Sequence, residues 1–250
     1  MEQIRKPFQG VLNIIKFNWH FYLLSVLFLF ALLILDNYLS IHFHFLLLFY
    51  LTLTLTAVSL LVSFYVYDLS NLYKLNWLSD STEKIKIANI SAGFDETSEL
   101  LQLKFKNADL IILDFYNPKT HTEVSIKRAR KAYPSFPNTK EITTSNLSLP
   151  DNSIDKVFVT LSAHEIRNKA EQVVFFNELK RVIKPNGQIY VTEHLRDLPN
   201  FLAYNIGVFH FLSDSYWKNT FEMAKLKITS RQKITPFITS FKLEKNGIST

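Results

Sequence analysis

The chain has 250 residues, with 28 Lys and Arg against 22 Asp and Glu and a formal net charge of +6. It contains no cysteine, which excludes a disulfide framework, a thiolate metal site and a cysteine nucleophile. The length suits one enzyme-sized domain plus an appendage, and the modest positive charge fits work beside an anionic membrane surface without implying nucleic acid.

The first element is amphipathic. Arg5, Lys6 and Lys16 stand among Ile4, Phe8, Val11, Leu12, Ile14 and Ile15, an interfacial pattern. Residues 17–35 then run for 19 positions with His20 as their only group charged near neutral pH, and residues 45–67 run for 23 with none. Each reaches the ~20 residues that cross a hydrocarbon core. A signal peptide has a shorter apolar region and no second span behind it. The connector 36–44 lacks Lys and Arg, whereas basic residues precede the first span and follow the second (Lys74, Lys84, Lys86). The positive-inside rule therefore puts both termini on the cytoplasmic side of an inner membrane. Trp19, Tyr22, Tyr65 and Tyr67 fall near that interface, where amphipathic rings settle. Without Asp, Glu, Lys or Arg inside either span, a channel or transporter is disfavoured. The alternative is an apolar helical hairpin packed on a soluble domain.

From residue 69 the pattern changes to alternating strands and helices. A short helix is expected through Trp77. Residues 85–90 form an apolar strand, Ser91, Ala92 and Gly93 a small-residue turn, and Asp95 and Thr97 suit the first turn of a helix. A second apolar strand, 110–113, ends on Asp114, 21 residues after Gly93. That is close to the ~20 residues between the glycine turn and the ribose-binding carboxylate of nucleotide-binding βαβ units. A turn that binds no ligand is the plainer reading. Further elements are a basic helix 119–131 capped by Asn117 and Pro118, a third strand 141–144, a fourth 154–161 and a helix 168–183. Strand five covers 188–192, helical patterns follow at 200–212 and 215–224, and two closing strands lie at 226–231 and 237–243. Such alternation predicts an α/β fold, a doubly wound and mostly parallel Rossmann-like sheet with a C-terminal antiparallel edge hairpin, behind a two-helix transmembrane hairpin. The domains are then 1–68 and 69–250.

Leu149-Pro150-Asp151-Asn152-Ser153-Ile154-Asp155, the run from Glu178 through Lys184-Pro185-Asn186-Gly187, and Ile189-Tyr190-Val191-Thr192-Glu193 together resemble a class I S-adenosylmethionine-dependent methyltransferase. The likeness covers about residues 80–245 and is greatest to the group acting on quinones and other small molecules. It implies S-adenosylmethionine as cofactor. Carried over by position, it implies that Asn89, Ser91, Ala92, Gly93, Asp114, Phe115, Asn146, Leu147 and Ser162 surround the cofactor, with Asp114 on the ribose hydroxyls and Asn146 and Leu147 near adenine. Asn89, Ser91, Asp95 and Asn146 depart from the family's usual residues. Asp95 would oppose a diphosphate, yet suits a ligand with a positive centre.

Two His–acid–Arg groups follow strands four and five: His164, Glu165 and Arg167, then Glu193, His194 and Arg196. Open α/β sheets place their ligand crevice at these strand ends. His164 and His194, oriented by Glu165 and Glu193, are candidate general bases, and Arg167 and Arg196 could clamp an anionic acceptor. Tyr204 and His210 lie in the segment expected to cover the crevice and are candidates for shaping the substrate site. Helix caps and inter-loop salt bridges are the plainer reading of the same groups. The spacing shows no recognisable metal-ligand motif, so no metal is expected. The resulting expectation is a membrane-anchored methyltransferase acting on a small or lipid-like acceptor of isoprenoid or quinone type. The alternative is a tethered, non-catalytic methyltransferase-like domain.

Overall fold

The computed structural model describes residues 5–39, 42–79, 82–121 and 123–246. Ile4 of the amphipathic segment and residues 40 and 41 of the expected connector lie outside them. Helix α1 (Gln9–Phe17) is followed by α2 (Trp19–Tyr38) and α3 (His42–Phe64). The connector is therefore shorter than residues 36–44, because α2 continues through Asp36, Asn37 and Tyr38. Both long helices are predominantly apolar, and almost none of their described residues is buried. A π-helical turn, Tyr65–Leu69, ends the second, and turns replace the short helix expected through Trp77.

Asp68 in that turn holds α1 in place. Its two oxygens accept from the Gly10 and Val11 amides at 2.7 and 2.8 Å, the donors that open a helix and have no partner within it. The approach requires glycine, since a Cβ on Gly10 would lie 2.4 Å from the Tyr67 Cβ.

The remainder is one seven-stranded sheet in the order β3-β2-β1-β4-β5-β7-β6. Its strands are β1 (Lys86–Ser91), β2 (Asp109–Asp114), β3 (Lys140–Glu141), β4 (Ile154–Thr160), β5 (Ile183–His194), β6 (Leu226–Lys233) and β7 (Ile238–Lys245). The first five pair in parallel, while β7 runs antiparallel between β5 and β6, forming the expected edge hairpin. Near-continuous burial along β1 and β4 is what a sheet covered on both faces demands. Helices α4 (Ser98–Lys104), α5 (Val124–Ala132), α6 (Lys169–Val182), α7 (Leu198–Tyr204) and α8 (Asp214–Met223) complete the chain.

In α6 the Asn168 side chain caps the Glu171 amide, and Phe175, Phe176, Leu179 and Val182, at helical spacing, enter the main core. Three expected elements shift. The basic helix starts at Val124 instead of residue 119, because Asn117 caps a separate turn at Lys119. Strand three shrinks to two residues, although the Ile142 amide still donates to the Asp114 carbonyl. The 200–212 helix breaks at Asn205, whose φ is 53°, and continues as a 3₁₀ segment, Asn205–His210. Strand order reverses between β1 and β4, and a ligand crevice is expected outside their carboxyl ends.

Candidate functional site

The glycine turn leaves the carboxyl end of β1 and is scaffolded from within. Asn89 donates to Thr97 Oγ1 and Ser98 Oγ, both at 2.9 Å, and to Asp95 Oδ1 at 3.1 Å, so its side chain faces α4. Asp95 Oδ1 also accepts from the Thr97 and Ser98 amides and thereby caps α4. Asp95 Oδ2 is buried without a partner. Gly93 has φ +94°, and a Cβ there would meet Tyr116 Cδ2 at 2.9 Å and Arg130 Cδ at 3.0 Å.

At the end of β2, buried Asp114 accepts from the Tyr116 amide on Oδ1 and from the Arg130 guanidinium on Oδ2. Arg130 itself lies over the Tyr116 ring, 4.4 Å from its centre. Ser91, Gly93, Asp95 and Asp114 line one concave surface with Phe94 and Tyr133. Residues 133–139, which carry Tyr133, Pro134, Ser135, Phe136 and Thr139 to this crevice, are a wall that no motif announced. Ala92 is buried core beneath the turn, and Ser162 Oγ donates to the Ile90 carbonyl, tying β4 to β1. Phe115 packs into the core against Phe175, and Leu147 is also core. Asn146 lies on the surface, where it accepts from the Ser148 amide.

Residues flanking the three N-terminal helices reach this turn from the other side. Arg5 donates to Glu96 Oε1 at 2.8 Å and stacks on the Tyr73 ring at 3.7 Å, while the Tyr73 hydroxyl donates to Glu96 Oε2 at 2.6 Å. Tyr73, Glu96, Ile126 and Leu161 border a second cavity there.

A compact charged group sits at the ends of β4 and β5. His164 Nδ1 lies 2.7 Å from Glu193 Oε2, and its Nε2 lies 3.1 Å from Glu165 Oε1. Burial pulls the His164 pKa down, but the two carboxylates outweigh it and push the pKa up to about 10. Burial likewise acts to raise Glu165, yet hydrogen bonds from His164 and His210 hold it well below the usual carboxylate range. His210 adds Nδ1 at 2.9 Å from Glu123 Oε1 and Nε2 at 3.7 Å from Glu165 Oε1. His164 is thus an imidazolium donating from both nitrogens at neutral pH, a form with no lone pair to accept an acceptor's proton.

His194 is in the opposite state. Asn200 Nδ2 donates to Asp197 Oδ1 and the Phe237 carbonyl, so its Oδ1 must accept, and it accepts from His194 Nδ1 at 3.0 Å. That leaves the His194 Nε2 lone pair facing the Tyr67 hydroxyl at 2.8 Å. Burial, outweighing the Asn200 hydrogen bond, pushes this imidazole down to about 4. Glu193 and His194 therefore serve different partners. Arg167 donates to Glu123 and the His210 carbonyl, and Arg196 donates to the Phe209 and Phe211 carbonyls. Both arginines pin the segment that carries His210. Tyr204 meets the His194 ring edge-on at 5.3 Å.

Residues 89–191 match the sequence profile of a family described as a methyltransferase domain. This stretch is a methyltransferase domain. The match supports a methyltransferase activity with S-adenosylmethionine as cofactor. The chain's fold is similar to that of a SAM-dependent methyltransferase from Methanosarcina mazei, at 16% identity and a TM-score of 0.50, covering 70% of this chain and 97% of that one. It is also similar to mitomycin 7-O-methyltransferase, at 12% identity and a TM-score of 0.51, covering 78% of this chain and 54% of that one. No match is found among curated proteins.

The crevice suits the cofactor on its own terms. Asp114 is a strand-end carboxylate that can accept ribose hydroxyls. Asp95, whose Oδ2 is an orphaned buried acceptor, is among the residues that line this crevice, and its carboxylate suits a cationic centre and not a phosphate.

Proposed function

We propose that this methyltransferase is anchored in the cytoplasmic membrane by α2 and α3 and acts at the cytoplasmic face on a lipid-like acceptor of isoprenoid or quinone type. The observation that carries the proposal is the outer side of α7 and the 3₁₀ segment behind it. Leu198, Phe201, Leu202, Ile206 and Phe209 are 67, 48, 61, 83 and 64% exposed. Solvent-exposed apolar residues in such density mark a surface covered in the cell. Since α7 packs against α3, this surface continues the apolar helices, and a bilayer is the single partner that covers both. The same 3₁₀ segment carries His210 to the charged group, so an acceptor emerging from the bilayer meets the strand ends directly. Basic residues support the orientation: Lys6, Lys16, Lys127 and Lys131 are exposed at the domain end of the helices. There Arg128 also donates to the Phe17 carbonyl and stacks over Trp19.

Bound S-adenosylmethionine supplies an electrophilic methyl group. Within the chain, Asp114 and Asp95 hold the donor. The neutral His194, through the Tyr67 hydroxyl, would take the acceptor's proton. One observation favours the non-catalytic alternative, namely that Arg130 engages the carboxylate needed for the ribose. The two readings separate in one assay. Full-length protein in liposomes is given methyl-labelled S-adenosylmethionine and a membrane lipid extract. Label entering the organic phase, and lost in Asp114→Ala, supports the enzyme. Label confined to water-soluble products contradicts the lipid-like acceptor, and no transfer despite cofactor binding favours the non-catalytic domain.

A further inference from the structure

The charged group beyond β4 gathers two histidines around a single carboxylate oxygen. His164 and His210 come from segments 46 residues apart in the chain, yet both direct Nε2 at the same oxygen, Glu165 Oε1, at 3.1 and 3.7 Å. Both also place Nδ1 against a carboxylate: Glu193 for His164 at 2.7 Å and Glu123 for His210 at 2.9 Å. A carboxylate on the far nitrogen is the usual outer partner of a metal-bound histidine and favours the tautomer that leaves Nε2 free to ligate. His164 has this arrangement outright, whereas His210 shares its carboxylate with Arg167, whose guanidinium also stands 2.6 Å from His210 Nδ1 and 3.1 Å from its Nε2.

We propose that His164 Nε2, Glu165 Oε1 and His210 Nε2 bind a divalent transition-metal ion of the zinc type. The spacing is near what a metal needs. Metal–ligand bonds of ~2.0–2.1 Å in a tetrahedron set ligand–ligand edges of about 3.3–3.4 Å. Two separations here are 3.1 and 3.7 Å, and with all three candidate atoms within 4.8 Å of one another, a small side-chain movement on binding closes the site. The charge agrees as well. With both imidazoles neutral, the carboxylates of Glu123, Glu165 and Glu193 and the single guanidinium of Arg167 leave a net charge of −2, which one divalent ion cancels. Binding displaces the imidazole protons to solvent. Two nitrogens and one carboxylate leave a coordination position open, as in catalytic sites with three protein ligands. A hydroxyl or water bound at that position would have its pKa lowered toward neutrality. The chain-local spacing around His164 gave no hint of this, because the third ligand, His210, arrives on the 3₁₀ segment pinned by Arg167 and Arg196.

The proposal is independent of whether the acceptor is a lipid. Its test uses full-length protein in detergent, stripped with chelator and titrated with cobalt(II) under visible spectroscopy, then with zinc(II) in competition. One equivalent should bind, with the absorption bands of a four-coordinate site. Glu165→Gln and His210→Ala should each weaken binding at least tenfold, and Glu123→Gln, which removes the carboxylate charge that His210 shares with Arg167, by about tenfold to a hundredfold. S-Adenosylmethionine affinity, measured on each variant, should stay within about twofold of wild type, which reports an intact fold. Absence of cobalt binding by wild-type protein that still binds the cofactor would overturn the proposal. So would equal metal affinity in wild type and the Glu165→Gln, His210→Ala double variant.

Discussion

Arg130 donates to Asp114 Oδ2, and its Cδ stands 3.0 Å from where a Cβ on Gly93 would lie. In the proposed cofactor site, guanidinium and ribose hydroxyls would compete for the same oxygen. A charge-assisted hydrogen bond contributes about 1.5–3 kcal/mol when shielded, less here because Arg130 is 28% exposed. Arg130→Gln should therefore tighten S-adenosylmethionine binding by about threefold to tenfold in a calorimetric titration. Weaker binding would mean that the guanidinium forms part of the cofactor site.

Asp95 divides its two oxygens between structure and ligand. Oδ1 caps α4, and Oδ2 is buried and unpartnered in a residue that lines the crevice. Asp95→Asn keeps an oxygen for the cap and removes the charge. Even at an effective dielectric of ~20, attraction to a nearby sulfonium is of order 1–4 kcal/mol before screening. The substitution should weaken S-adenosylmethionine several-fold more than the neutral product S-adenosylhomocysteine. Equal losses for both would leave Asp95 as a cap alone.

His194 gives the fold an acid-sensitive point. Its native pKa of about 4 lies below the ~6.5 of an unfolded chain, so the unfolded state binds the extra proton. Its contribution is complete above pH ~6.5 and is lost as pH falls toward 4, by up to about 3 kcal/mol. Thermal melts of wild type should show this slope, and His194→Gln should flatten it. An unchanged slope in the variant would assign the acid sensitivity elsewhere.

The proposed orientation places Asn37 outside and Lys84 inside. In intact cells an impermeant thiol reagent should label Asn37→Cys and leave Lys84→Cys unlabelled. The reverse pattern would invert the topology.

The periodicity of the apolar runs made the sheet legible, because buried parallel strands must be apolar on both faces and α6 must repeat near 3.6. The β1 turn and Asp114 were legible for the same reason, their spacing being set by one crossover helix. The site's second half was not. Residues 133–139 reach the crevice through tertiary packing after α5, and Asn146 and Phe115 fall at plausible positions in the chain yet face the surface and the core. Adjacency in sequence made Glu193 and His194 look like one unit. Alternation along β5 sends one to His164 and the other to Tyr67. Arg167 and Arg196 read as anion clamps because a sequence does not show that the Phe209, His210 and Phe211 carbonyls need donors.

The most direct measurement is a calorimetric titration of S-adenosylmethionine into full-length protein in nanodiscs, wild type beside Asp114→Ala. Charge-assisted bonds from both ribose hydroxyls to one strand-end carboxylate predict one cofactor per chain and at least a tenfold loss of affinity in the variant, with an unchanged melting profile. No binding by wild type, or equal affinity in a folded Asp114→Ala protein, would contradict the assignment of this crevice as the methyl-donor site.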